Sequence, residues 1–69
     1  MKIGELAQRS GCLVETIRYY EQIGLLAPPA RSANNYRSYG HAHAERLDFI
    51  RHCRALDMPL DEIRKLLDL

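Results

Sequence analysis

No stretch of this 69-residue chain comes near the roughly 18 consecutive apolar residues of a membrane-spanning helix, so no membrane span is expected. The first residues lack the basic-then-apolar pattern of a secretory signal, because Glu5 and Arg9 interrupt it, and a cytoplasmic location is the expectation. Cysteine is scarce: Cys12 and Cys53 stand alone, and without a secretory signal they are expected as reduced thiols. There is no Cys-x-x-Cys pair and no His-x-x-x-His pair among His41, His43 and His52, which removes the spacing of a closed zinc site. The chain also has no phosphate-cradling glycine loop and no Ser/His/Asp or Cys/His constellation, so an enzyme is not expected. Charge of one sign is scarce as well, the net value being only +1.

What is present is patterned. Sixty-nine residues make one domain, residues 1–69, near the lower size at which a hydrophobic core alone suffices. An apolar content of 46% with regular periodicity argues for a folded chain. The charge is unevenly spread: residues 1–54 hold eight Lys/Arg against five Asp/Glu, and residues 55–69 hold two against four. A monomer with so few positive groups should hold any polyanion weakly, so a polyanionic partner would point to a dimer.

The segment from Ile3 to Tyr20 carries the most information. It reads as two short helices broken by the turn Gly11-Cys12-Leu13. Leu6 and Ala7, with Ile3 near the start, give the first helix an inner face; Ala7 is small where two steeply crossed helices come closest. Gly11 sits where the helix must stop and the backbone needs a positive φ. Val14, Ile17 and Tyr20 recur at i, i+3, i+6 as the inner stripe of the second helix. These are the marks of a helix-turn-helix, whose second helix enters the DNA major groove. Its outward face carries Glu15, Arg18, Tyr19 and Gln22. Arginine can grip a guanine edge or a phosphate, and tyrosine can donate to a phosphate oxygen. Thr16, near the helix start, adds a hydroxyl where the helix N-terminus favours anions. An αα-corner with an ordinary solvated face is the plainer alternative.

After Gly24 the chain changes character. Ala27-Pro28-Pro29-Ala30 forbids helix and favours extended backbone. Asn34-Asn35 is turn chemistry, and the polar-aromatic runs around it predict a small β-hairpin. Arg31 and Arg37 on that hairpin suit phosphates or a narrow minor groove. Tyr36 and Tyr39 are open to either packing or DNA contact. Beside a helix-turn-helix, such a projection is a wing.

From His41, after Gly40, the chain is helical again. Leu47, Phe49, Ile50, Cys53 and Leu56 share one half of the wheel, and Glu45, Asp48, Arg51 and His52 the other. Arg46 projects onto the apolar half, where a structural ion pair or a capping role is expected. Asp57-Met58-Pro59 breaks the helix. A last helix begins near Pro59, which suits the first helical position, and Asp61 and Glu62 suit the positive end of its dipole. Leu60, Ile63 and Leu67, with Leu66 beside them, form its inner stripe. The fold class is therefore mostly α: a winged helix-turn-helix of about four helices with a small β-hairpin wing.

Taken together, Ile3-Gly4-Glu5-Leu6-Ala7, Thr16-Ile17-Arg18-Tyr19-Tyr20-Glu21, Gly24-Leu25-Leu26, Asn35-Tyr36-Arg37-Ser38-Tyr39, Arg46-Leu47, Phe49-Ile50 and Leu60-Asp61-Glu62-Ile63 resemble the N-terminal DNA-binding domain of the MerR family of bacterial transcription activators. Cys12-Leu13-Val14-Glu15-Thr16 and the run Phe49 to Met58 are similar to its cadmium- and lead-responsive branch. The resemblance implies DNA contacts from Thr16, Arg18 and Tyr19 on the recognition helix and from Arg31, Tyr36 and Arg37 on the wing. It implies double-stranded promoter DNA as partner, a homodimer joined by a coiled-coil helix after this domain, and RNA polymerase at the promoter. Activation then comes from bending and untwisting the DNA, which is specificity through deformation as much as base contact. It also implies a heavy-metal effector (cadmium, lead, zinc or mercury) in a longer protein, with no cofactor in this chain. The dimerisation helix and effector cysteines lie past Leu69, and the chain is expected to be part of a longer protein. Asn34-Asn35 replaces the family's usual Asn-Gly turn, which costs backbone freedom at the wing tip.

Two readings compete. A metal-binding module would draw on Cys12, His41, His43, His52 and Cys53, but His41 and His52 lie about 16 Å apart along one helix. Cys53 is expected to pack in the core; Cys12, in the turn, is a weak metal candidate with burial between the helices as its alternative. A protein-docking winged module would use the acidic last helix with Asp61, Lys65 and Asp68, and its affinity would lack the steep salt dependence of DNA binding.

Overall fold

The computed structural model describes residues 1–31, 33 and 37–69, and the order of elements is four helices with one hairpin inserted between the second and third. Helix α1 (Ile3–Ser10) ends where Gly11 turns left-handed at φ 72°, ψ 16°, with its N–H donating to the Ala7 carbonyl at 3.0 Å. An L residue is strained there, so glycine is the fitting stop. Ser10 is buried and organises the turn. Its hydroxyl donates to the Leu6 carbonyl at 2.8 Å and accepts from the Cys12 N–H at 3.3 Å.

Helix α2 (Val14–Gln22) buries Ile17 and Tyr20. Past its end Gly24 is also left-handed, and the N–H groups of Leu25 and Leu26 both donate to the Tyr20 carbonyl, at 2.9 and 3.1 Å. That fold-back drives Leu25 and Leu26 into the core. Strands β1 (Ala30–Arg31) and β2 (Arg37–Ser38) then pair antiparallel, with Ala30 opposite Ser38 and Arg31 opposite Arg37. The expected hairpin is present; its Asn34-Asn35 turn and Tyr36 lie outside the described residues.

Helix α3 (His41–Ala55) starts directly after Gly40. The His43 ring reaches back, Nδ1 accepting from the Gly40 N–H at 3.0 Å while Nε2 lies 3.1 Å from the Ala27 carbonyl. Because Nδ1 accepts, Nε2 carries the proton and donates to Ala27. Helix α4 (Leu60–Leu67) follows the break. Pro59 is its N-cap rather than its first helical residue: it is extended, at φ −69°, ψ 154°, and its carbonyl accepts from the N–H groups of Glu62 and Ile63. Asp57, at φ 60°, makes the reversal between the two helices.

One core joins all four helices. Leu6, Ile17, Leu25, Leu26, Tyr39, Leu47, Ile50 and Ile63 are essentially fully buried, each side chain worth about 1.5–3 kcal/mol relative to exposure. Cys53 packs there too, as expected. The apolar half-wheel of α3 is narrower than its residue types suggest. Leu47, Ile50 and Cys53 point inward, whereas Phe49 is 41% and Leu56 78% exposed; Leu66 on α4 is exposed as well. A domain of this size has one layer of partners for α3, enough for an i, i+3, i+6 stripe and no more.

Three arginines tie the later helices to the earlier ones. Arg46 Nε donates to the Leu25 carbonyl at 2.9 Å, which makes it a backbone clamp and answers why a cation sits on the apolar half of α3. Arg51 Nη1 donates to the carbonyl of Ser10, the last residue of α1, at 3.2 Å. Arg64 donates to the carbonyl of Ile23, which follows α2. Guanidinium groups at helix C-termini meet the negative end of the dipole and unpaired carbonyls together.

Candidate nucleic-acid interface

With Ile17 and Tyr20 facing inward, the 100° step per residue turns Glu15, Arg18, Tyr19 and Gln22 outward, and all four are exposed. Tyr19 is half exposed, its ring 6.2 Å from that of Tyr20. Thr16 is half-buried in the first turn of the helix. Leu13, the N-cap, brings no side-chain acceptor to that turn, so its N–H groups have no side-chain partner. This is a hydrogen-bonding helix face whose one arginine is balanced by Glu15, with an uncapped positive end.

The wing adds two more cations. Arg31 and Arg37 are exposed and directly opposite each other across the hairpin. Like charges in that position destabilise a strand pair by themselves. Tyr39, left open between packing and DNA contact, is a core residue at 2% exposure. Its ring stands edge-on to His43 at 5.2 Å. Burial, and then the hydrogen bond to Glu21, hold the Tyr39 phenol above its ordinary pKa. Burial does the same for Tyr20, with Cys12 nearby adding to it.

Glu21 is the residue that reasoning from the sequence passed over. It stands four positions after Ile17, so it falls on the inner edge of α2, and its side chain is only 13% exposed. One carboxylate oxygen accepts the Tyr39 hydroxyl, and the other lies 3.7 Å from Arg37 Nη1. The recognition helix and the wing are thereby joined through one side chain. A carboxylate on the buried side of an amphipathic helix was the available signal, because such a group must find donors.

The rival metal site finds no support in this geometry. Among the described residues no group of three or more His, Cys, Asp or Glu side chains is placed to hold a metal ion. Cys12 is half-buried against the core, with its thiol 3.9 Å from the Ser10 carbonyl. His41 and His52 pair instead with Glu45 and Asp48 one turn away. No helix among the described residues is long and apolar enough to cross a membrane.

Comparison with known proteins agrees with this geometry. The family described as "MerR HTH family regulatory protein" matches residues 1–69. A transcriptional regulator from Haemophilus influenzae, named a ZntR homolog, is 58% identical over 69 residues, which is 100% of this chain and 51% of the relative. The structure of the transcription regulator PbrR691 from Ralstonia metallidurans, in complex with lead(II), superposes with a TM-score of 0.90 at 59% identity, over 99% of this chain and 53% of that one. The same fold, at 20% identity and a TM-score of 0.87, occurs in HiNmlR, a regulator solved bound to promoter DNA; it covers 99% of this chain and 52% of that one. The chain thus spans about half the length of the relatives it matches.

Proposed function

The chain belongs to the MerR family of helix-turn-helix regulatory proteins, and we propose that it is the promoter-reading domain of a heavy-metal-responsive transcription regulator. Helix α2 enters the major groove, where Arg18 takes a base edge or a phosphate and Tyr19 donates to a phosphate oxygen. Thr16 and the uncapped first turn of α2 hold a further phosphate. Arg31, Arg37 and Tyr36 set the wing on the neighbouring backbone.

The observation that supports this reading is the Arg31–Arg37 pair on a hairpin that Glu21 ties to α2. In the longer regulator the domain is paired in a homodimer through a coiled-coil helix that follows it, on an inverted-repeat promoter. RNA polymerase is the further partner there, engaged when the bound DNA is bent and untwisted. The names of the relatives, among them a mercuric resistance regulator, a heavy metal-dependent regulator and a regulator solved with lead(II), support a metal effector. Among the described residues no group of three or more His, Cys, Asp or Glu is placed to hold a metal ion, and the effector's ligands are proposed to lie outside this domain.

The test is a salt series of fluorescence-anisotropy titrations, using a labelled inverted-repeat duplex selected by the protein from a random pool and a scrambled control. Preference for the selected duplex, weakening steeply with salt, is the expected result. Equal binding to both duplexes at every salt concentration would refute sequence reading. Affinity insensitive to salt would favour the protein-docking alternative.

A further inference from the structure

Tyr39 and Arg37, the two partners of Glu21, differ in kind. Tyr39 is a fixed post: buried, with its N–H donating to the Met1 carbonyl at 2.7 Å and its ring against His43. Arg37 is an arm, its side chain 51% exposed. At 3.7 Å its contact with Glu21 exceeds a close charged hydrogen bond, so the carboxylate steers the guanidinium without saturating its five N–H donors. A group held by a buried partner and facing an exposed one is oriented by the first and orients the second. The carboxylate also places a negative charge beside a cation that meets phosphate.

We propose that Glu21 is a positioning residue for DNA recognition: it sets the wing's Arg37 at a fixed angle to helix α2 and restrains its indiscriminate attraction to phosphate. Operator DNA, whose backbone follows that angle, keeps the contact; other DNA loses part of it. The inference rests on the reading that α2 and the wing meet DNA together.

The experiment compares wild type, Glu21→Gln, Arg37→Gln and the double variant on the selected and scrambled duplexes. Glu21→Gln keeps an acceptor for Tyr39 and removes the charge. It should tighten binding to scrambled DNA about threefold and leave selected DNA within about 1.5-fold, and that difference should vanish in the Arg37→Gln background. A carboxylate acting on DNA merely as a surface charge would give the same gain in both backgrounds, and that result would overturn the proposal. So would no change in either background. If Arg37→Gln itself leaves both affinities untouched, the wing reading fails first and the inference with it. Tyr39→Phe supplies the independent arm, since it removes the post's hydroxyl and leaves net charge alone. It should lower discrimination by a similar factor, and unaltered discrimination in a variant that still melts cooperatively would also overturn the proposal.

Discussion

Arg31 and Arg37 are direct partners in the register of the two-stranded wing, and both are exposed. Replacing either with glutamine should reduce the slope of log affinity against log salt by about 1; Arg31→Gln should lose similarly on specific and scrambled duplexes, and Arg37→Gln more on the specific one. An unaltered slope in both variants would place the wing away from the phosphates.

Arg18 should behave differently. If it reads a base edge, Arg18→Ala costs about 1–3 kcal/mol on the selected duplex and much less on the scrambled one. Anisotropy titrations of both duplexes at one salt concentration decide this. Equal losses on the two would reassign Arg18 to phosphate, and no loss would remove it from the interface.

The turn between α1 and α2 offers a stability test. Gly11 is left-handed, and an added Cβ would stand 3.0 Å from Arg51 Nη1. Gly11→Ala should cost about 1–2 kcal/mol for the backbone alone, roughly 5–15 °C in melting temperature for a domain of this size. Gly4→Ala is the matched control. It sits in helical backbone with nothing within 4 Å of the new atom, and should stabilise by up to about 0.5 kcal/mol. Equal effects from the two would refute the conformational explanation.

The Tyr39 phenol makes a statement about alkaline pH. Its pKa is raised in the folded state above the ordinary 10.0, mainly by burial and then by the Glu21 hydrogen bond. The folded protein therefore holds this proton more tightly than the unfolded chain does. The stabilisation is complete below pH 10.0 and is lost as pH rises through the folded value. Urea midpoints measured at about pH 8 and about pH 11 should fall more steeply for wild type than for Tyr39→Phe. At neutral pH that variant should cost about 1–3 kcal/mol, because it strips a donor from a half-buried carboxylate. Parallel profiles for the two proteins would show that the phenol has the same pKa in the folded and unfolded states.

What could be read from the sequence is what the backbone decides locally. Gly11, Gly40 and the Asp57–Pro59 break mark helix ends because each answers a constraint within a few residues, and the inner stripes of α1 and α2 follow from the helical period alone. What could not be read depends on partners distant in the chain. Tyr39 looks like any exposed aromatic of a polar loop until Glu21, 18 residues earlier, accepts its hydroxyl. Arg51 looks like a solvated cation until it reaches Ser10, 41 residues away. Phe49 and Leu56 fail for a third reason: a wheel shows which residues could share a face, not how wide a face the neighbours can cover. On the wing, Tyr36 and the Asn34-Asn35 turn lie outside the described residues.

The ties from Arg46, Arg51 and Arg64 all end on main-chain carbonyls, those of Leu25, Ser10 and Ile23. A carbonyl is present whatever side chain its residue bears. The frame therefore grips the path of the chain and is indifferent to the letters written along it. Exchanging the outward residues of α2 for another set should leave the scaffold standing, so one architecture can be rewritten for many operators.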